Sequence, residues 1–182
     1  MVEGAGISLD RVADVSDLDR AAIRALSLAV YPPAEAATWP GRHLEWARPE
    51  WCVRIWDGDG RLASYIGLLL RDANCDGRPA QVGGIGGVMT HPAARGRGHA
   101  ARGIRRAVEF FREQGGVAFA LLVCETGLLG YYGRLGWLEF HGRLQVRQRG
   151  EPADFTFNRV MVQDVEAAGP TSGTIDLMGP PW

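Results

Sequence analysis

Apolar and polar positions alternate over "ISLDRV" (residues 7–12), the spacing of a half-buried strand. Ser16 then opens a stretch in which Leu18, Ala22, Leu26 and Ala29 recur at helical spacing. Asp17 and Asp19 sit where a helix dipole favours negative charge. The next segment, "YPPAEAATWP" (31–40), carries three prolines and reads as a mobile loop; "GRHLEWARPE" holds one short helical turn. Two apolar runs within residues 51–72 flank Asp57-Gly58-Asp59-Gly60, the pattern of a hairpin. A turn at "CDGRPA" leads into a long strand, "QVGGIGGVMTHP" (81–92). Helical spacing returns in "ARGIRRAVEFFREQG" (101–115), where Ile104, Val108 and Phe111 share a face. "VAFALLVC" (117–124) is almost wholly apolar, as a central parallel strand should be. A brief helix in "TGLLGYYGRLG", a strand in "WLEFHG" and a last strand in "ADFTFNRVMVQDV" follow. The expected order is β-α-loop-β-β-β-α-β-α-β-β, a mixed α/β sheet. The Gly- and Pro-rich ending "EAAGPTSGTIDLMGPPW" has the composition of an exposed loop, yet Pro180 and Pro181 stiffen it and Trp182 can anchor it.

Bulk composition changes this picture little. The 182 residues suit one domain spanning 1–182, with 46% apolar and 23% charged residues. A net charge of −1 supplies no field for nucleic acid, so any anion site must be local. Cys52, Cys75 and Cys124 form no CxxC pair, which argues against a disulfide framework and a zinc site; buried free thiols are expected. The first residues lack a basic stretch followed by an apolar one, and no apolar run approaches membrane-spanning length. A cytoplasmic protein without metal, membrane or nucleic-acid partner is expected.

The chemistry concentrates in "RGRGHA" (95–100), between the long strand and the helix. Glycine lets backbone N–H groups approach a ligand, arginine adds permanent charge, and the helix dipole's positive end lies at the same point. Pyrophosphate fits such a turn. Gly96, Gly98 and Ala101 satisfy the dinucleotide pattern GxGxx(G/A), and Glu125 follows at the end of the next strand. That match lies mid-chain after a three-strand meander, and no second βαβ half follows it.

The run Arg95-Gly96-Arg97-Gly98-His99-Ala100 fits R-x-x-G-x-A and resembles the acyl-coenzyme A loop of the GCN5-related N-acetyltransferases. A helix and a strand later, Tyr132-x-x-x-Gly136-Trp137 resembles that superfamily's second motif. The likeness covers about residues 83–140. More patchily, "ARPEWCVRIWDGDGRLASYIGLLLRD", "YYGRLGWLEFHG" and the ending "TIDLMGPPW" resemble aminoglycoside 2'-N-acetyltransferases and nodulation protein A acyltransferases. The resemblance implies the acyl-CoA N-acyltransferase fold, a mostly antiparallel sheet with a splayed parallel pair at the coenzyme site. It also implies direct acetyl transfer from acetyl-CoA to an amino-sugar amine, foremost the 2'-amine of a kasugamycin-type or deoxystreptamine-type aminoglycoside as in antibiotic resistance, and it allows a homodimer.

By that resemblance Val88, Met89 and Thr90 lie along the pantetheine arm, and Arg95, Gly96, Arg97, Gly98, His99 and Ala100 hold the pyrophosphate. Tyr132 matches the general acid, and a phenol near pKa 10 keeps its proton at neutral pH. His91, before a proline, reads as a turn residue rather than a base. Many relatives carry a glutamate at the position that Gly86 matches, so deprotonation falls to water, Asp154, Glu35, Glu125 or the terminal carboxylate. The resemblance places Trp182 at the acceptor site, its carboxylate beside the attacking amine. Glu35, Trp39, Asp154 and Asp176 would join it around an amino-sugar acceptor. Two other readings remain open at this point: a long-chain N-acyltransferase acting on an amino-oligosaccharide, and a coenzyme A-binding sensor without catalysis.

Overall fold

The computed structural model describes residues 6–182. Strand β1 (Ile7–Arg11) leads to helix α1 (Asp17–Val30), whose first turn is capped by the Ser16 hydroxyl accepting the Asp19 N–H at 3.2 Å. Helix α2 (Pro33–Thr38) occupies the segment expected to be a mobile loop. Pro33 sits at its first turn, where a missing N–H costs nothing, so two of the three prolines start the helix instead of breaking it.

Strands β2 (Trp51–Trp56), β3 (Leu62–Cys75) and β4 (Arg78–Thr90) form the expected meander. Helix α3 (His99–Gln114), strand β5 (Val117–Cys124), helix α4 (Leu129–Gly133) and strand β6 (Leu138–Phe140) follow. Three strands follow: β7 (Arg143–Gln148) and β8 (Glu151–Asp154), most of which lie in a stretch with no expected element, and β9 (Arg159–Asp164), within the last strand expected at 153–165. A tight turn through Arg149 (φ 54°) and Gly150 (φ 84°) folds β7 and β8 into a hairpin. The supposed loop at the end supplies β10 (Thr174–Asp176), which pairs antiparallel with β3 and parallel with β7.

The sheet runs β6-β9-β5-β4-β3-β10-β7-β8, with β2 and then β1 added along another stretch of β3. Its central pair, β4 and β5, is parallel; most others are antiparallel. One face packs on α3 through Ile66, Leu68, Ile85, Ile104 and Phe111. The opposite face is covered by the β7–β8 hairpin, β10 and Trp182, which close over Leu69, Val82, Leu121 and Val162. Arg54, only 6% exposed, ties β2 to β1 and α1 through Asp10 (2.7 Å) and Asp19. Cys52 and Cys124 are buried free thiols as expected, while Cys75 is only half-buried.

Glycines 83 and 84 on β4 face opposite sides. A Cβ at Gly83 would meet the ring of Phe111 at 2.6 Å, and one at Gly84 would overlap the Trp182 indole. Both positions are empty of side chain because a large aromatic ring fills the space. Gly84→Ala is therefore expected to lower stability by about 1–3 kcal/mol, the usual cost of overpacking. It should also red-shift tryptophan emission as Trp182 leaves its seat; an unchanged urea midpoint would show that the end of the chain does not dock.

Candidate active site

Parallel pairing between β4 and β5 ends at Ile85↔Leu122. Beyond it β4 continues to Thr90 and β5 to Cys124 without meeting, so the strands fork. A bulge sharpens the fork: Gly67 pairs with Gly86 and Tyr65 with Met89, so Gly87 and Val88 oppose Ile66 alone. Gly87 takes φ +58°, open to glycine at little cost. Val88, Met89 and Thr90 thus present β4 main-chain groups along an edge that no strand covers.

At the end of that edge lies the glycine-arginine turn. Gly96 (φ 76°) and Gly98 (φ 78°) are left-handed, and Gly98 is the N-cap of α3. The first N–H taken up by the helix is that of Arg102, donated to the Gly98 carbonyl at 3.0 Å. Arg95 (φ −63°, ψ 155°) and Gly96 form a tight turn that Arg97 closes, and the N–H groups of Gly96, Gly98, His99, Ala100 and Ala101 have no acceptor among the described residues. Five such donors around a helix N-terminus form a cradle suited to an anion. Arg95 leans back to the Thr90 carbonyl at 3.4 Å, and Arg97 is exposed. His91 is the turn residue expected, its Nδ1 accepting the Ala93 N–H at 3.2 Å.

Tyr132 lies on α4 and is 5% exposed, its ring against Tyr131 (5.2 Å, edge-on) and Trp137 (6.2 Å). Burial raises its phenol well above the ordinary value, helped by Cys124, Tyr131 and Tyr31. Tyr31, which closes α1, was missed in the sequence; burial raises its phenol, with Glu125 adding to the rise and Arg95 opposing it. No local pattern marks Tyr31, since only the fold brings it near Glu125 and Tyr132.

Trp182 is 6% exposed, and its indole Nε1–H donates to the Leu121 carbonyl at 3.0 Å. Arg71 holds the preceding turn by donating to the Pro180 carbonyl at 2.7 Å, and its guanidinium lies 5.4 Å from the Trp182 ring centre. The Ala47 N–H reaches the Pro181 carbonyl at 2.6 Å. The carbonyl carbon of Trp182 lies 2.9 Å from where a Cβ at Gly86 would be. Gly86 is the first β4 residue past the fork, so the main chain of Trp182 fills the room of its missing side chain.

The four residues expected around the acceptor do not converge as open groups. Glu35 is exposed on α2, and Trp39 stacks on Trp46 at 5.6 Å. Asp154 accepts from Arg143 at 2.8 Å, and Asp176 takes two bonds from Arg147, each 3.2 Å. Two of the three carboxylates are already ion-paired. Sequence reading also missed Gln148, whose side-chain amide brackets Glu45, accepting its N–H at 2.8 Å and donating to its carbonyl at 3.0 Å. This latch joins the β7–β8 turn to the segment after α2.

A forked parallel pair, a bulged strand and an anion cradle at the following helix define an acyl-CoA N-acyltransferase fold. The acetyltransferase (GNAT) domain family matches residues 15–139, and the chain belongs to that family. It is similar in structure to the GNAT family N-acetyltransferase YhbS from Escherichia coli in complex with CoA. That likeness has a TM-score of 0.62 and 18% identity, covering 96% of this chain and 89% of that one. An acyl-CoA N-acyltransferase from Pseudomonas aeruginosa aligns with TM-score 0.62 and 20% identity, over 88% and 99% of the two chains. A GNAT family acetyltransferase from Brucella melitensis, in complex with acetyl-CoA, aligns with TM-score 0.56 and 18% identity, over 93% and 94%. No curated protein matches the chain. The protein is thus a GNAT N-acetyltransferase, while likeness to the aminoglycoside or nodulation enzymes stays with the residues that suggested it.

Burial also sets an alkaline limit. The Cys52 and Cys124 thiols are pushed from 9.0 to about 11 in the folded chain. An unfolded chain releases these protons first, so it binds fewer of them and stability falls as pH rises from 9 toward 11. Urea midpoints should drop between pH 8 and pH 10.5, and Cys52→Ala/Cys124→Ala should flatten the slope. An equal slope in that variant would assign the loss to Tyr65 and Tyr132, whose phenols burial also raises.

Proposed function

We propose that this enzyme moves the acetyl group of acetyl-CoA directly to a primary amine, with the fork between β4 and β5 as the place of reaction. The unpaired N–H groups of Gly96 and of residues 98–101 carry this reading, because pyrophosphate is the part of the donor that such a cradle suits. Arg95 and Arg97 add charge to it. Val88, Met89 and Thr90 bond the pantetheine arm with main-chain groups, and one of their N–H groups polarises the thioester carbonyl. The amine nitrogen attacks the carbonyl carbon, the C–S bond breaks, and the departing thiolate takes the Tyr132 phenol proton. Solvent returns that proton to Tyr132.

The amine's own proton needs a second acceptor, and Gly86 offers none. The Trp182 main chain lies where a side chain at 86 would project, and a terminal carboxylate there would take the proton directly or through water. Support for this comes from the 2.9 Å approach of its carbonyl carbon to that position.

Two substitutions separate binding from chemistry. Gly98→Val puts a branched side chain at φ 78° with no neighbouring atom within 4 Å, so the strain is local to the cradle. Acetyl-CoA affinity should fall about 100-fold, measured by calorimetry on the folded variant, because several charge-assisted bonds are lost at once. Unchanged affinity would remove the pyrophosphate from this loop. Tyr132→Phe keeps the ring and removes the donor. Its kcat should fall about 10²-fold with the acetyl-CoA Kd steady; near-normal turnover would leave Tyr132 as packing.

A further inference from the structure

Between the segment after α2 and the β7–β8 hairpin lies a groove of about 490 Å³, large enough for one ring system and a short arm. Its walls are Leu44, Val146, Phe155 and Phe157, with His43 and Gln148 as polar groups. Behind them four aromatic rings pack together. Trp39 stacks on Trp46, Phe157 stands edge-on to Trp39 at 5.8 Å, and Phe155 stands edge-on to Trp46 at 6.0 Å. The Gln148–Glu45 latch holds the two sides at a set separation. The groove is tied to the reaction site by contact: Trp46 adjoins Ala47, which bonds Pro181, and the next residue's main chain fills the space at Gly86.

Asp154, the one carboxylate of the groove's lining, is paired with Arg143, and Asp176 on β10 is paired with Arg147; the exposed Glu45 carboxylate beside the groove accepts the Arg149 N–H at 2.8 Å. A polycationic sugar gains by displacing ordered water from open carboxylates, and this groove offers it none without breaking an ion pair. A flat apolar body gains instead from burial and from ring-to-ring contact.

We infer that the acceptor is a monoamine with an aromatic body, its ring held in the groove by Phe157 and Phe155 while its amine reaches toward the fork. This rests on the amine-transfer reading and narrows it to arylalkylamines. Release of the coenzyme A thiol is followed with acetyl-CoA and a panel of 2-phenylethylamine, tryptamine, hexylamine, spermidine, glucosamine and kasugamycin. The aryl amines should exceed the others in kcat/KM by about tenfold or more, the scale of one well-placed aromatic contact with its buried area. In Phe157→Ala, a change at a half-buried position checked by its melting curve, KM for tryptamine should rise about tenfold with the KM for acetyl-CoA steady. A lead for spermidine, glucosamine or kasugamycin overturns the inference, as does an aryl preference that survives the substitution. Octanoyl-CoA outpacing acetyl-CoA through Phe157 would give the groove to the acyl chain and overturn it too. Should acetyl-CoA bind while no amine turns over, the transfer reading has failed, and equilibrium dialysis of tryptamine then decides the groove alone. Saturable binding lost in Phe157→Ala supports it, and no saturable binding overturns it.

Discussion

Everything at the site depends on two parallel strands that stop pairing while both continue. Up to Ile85↔Leu122, β4 and β5 satisfy each other's main-chain groups; past that point β4 bulges at Gly87 and the edges separate. Unpaired strand edges are normally a liability that proteins cover. Here the edge is short, and it faces inward between α1, α4 and the anion cradle, where an extended ligand can complete it. The cradle at the start of α3 lies at the far end of the same edge because the bulged strand and the helix are joined by only eight residues. One interruption in a ladder therefore provides both the slot and its anchor.

The fork is backed from behind by the end of the chain. The run "GGIGG" at 83–87 looks like a flexible linker, yet its first two glycines are places where rings sit, Phe111 on one face and Trp182 on the other. Trp182 is held by its own Nε1–H on Leu121, by Arg71 on Pro180 and by Ala47 on Pro181. These bonds reach β5, β3 and the segment after α2, so residues 180–182 link three parts of the site. The absence of side chains at 84 and 86 is the complement of that anchor.

Around the β7–β8 hairpin, ion pairs and aromatic rings divide the work. Arg143–Asp154 is exposed, and such pairs contribute at most about 1 kcal/mol each. Their larger effect is to leave little net charge facing the groove that the rings line. Arg147–Asp176 does the same while also fastening β10 to β7, and the Asp176 carboxylate accepts the Met178 N–H at 2.8 Å. Two of the carboxylates named for a cationic acceptor, Asp154 and Asp176, thus also help to organise the hairpin and residues 174–178.

The sequence by itself determined the parts whose signal is local. Alternation marked β1, helical spacing marked α1 and α3, and apolar runs bounded by turn residues marked the meander and β5; the spacing of Arg95, Gly98, Ala100 and Tyr132 marked the family, because a backbone cradle requires glycines at set positions. Helix α2 was hidden by its prolines, which break a helix in its interior and favour it at its start. The β7–β8 hairpin was hidden because its turn uses Arg149 at positive φ in place of a strong turn pair. Strand β10 could not be read at all: three residues carry no periodicity, and their strand character comes entirely from β3 and β7 on either side. The same holds for the partners of Asp154 and Asp176 and for the groove beside Trp39. Those depend on which distant residues the sheet brings within 4 Å, and long-range proximity leaves no trace in a local pattern.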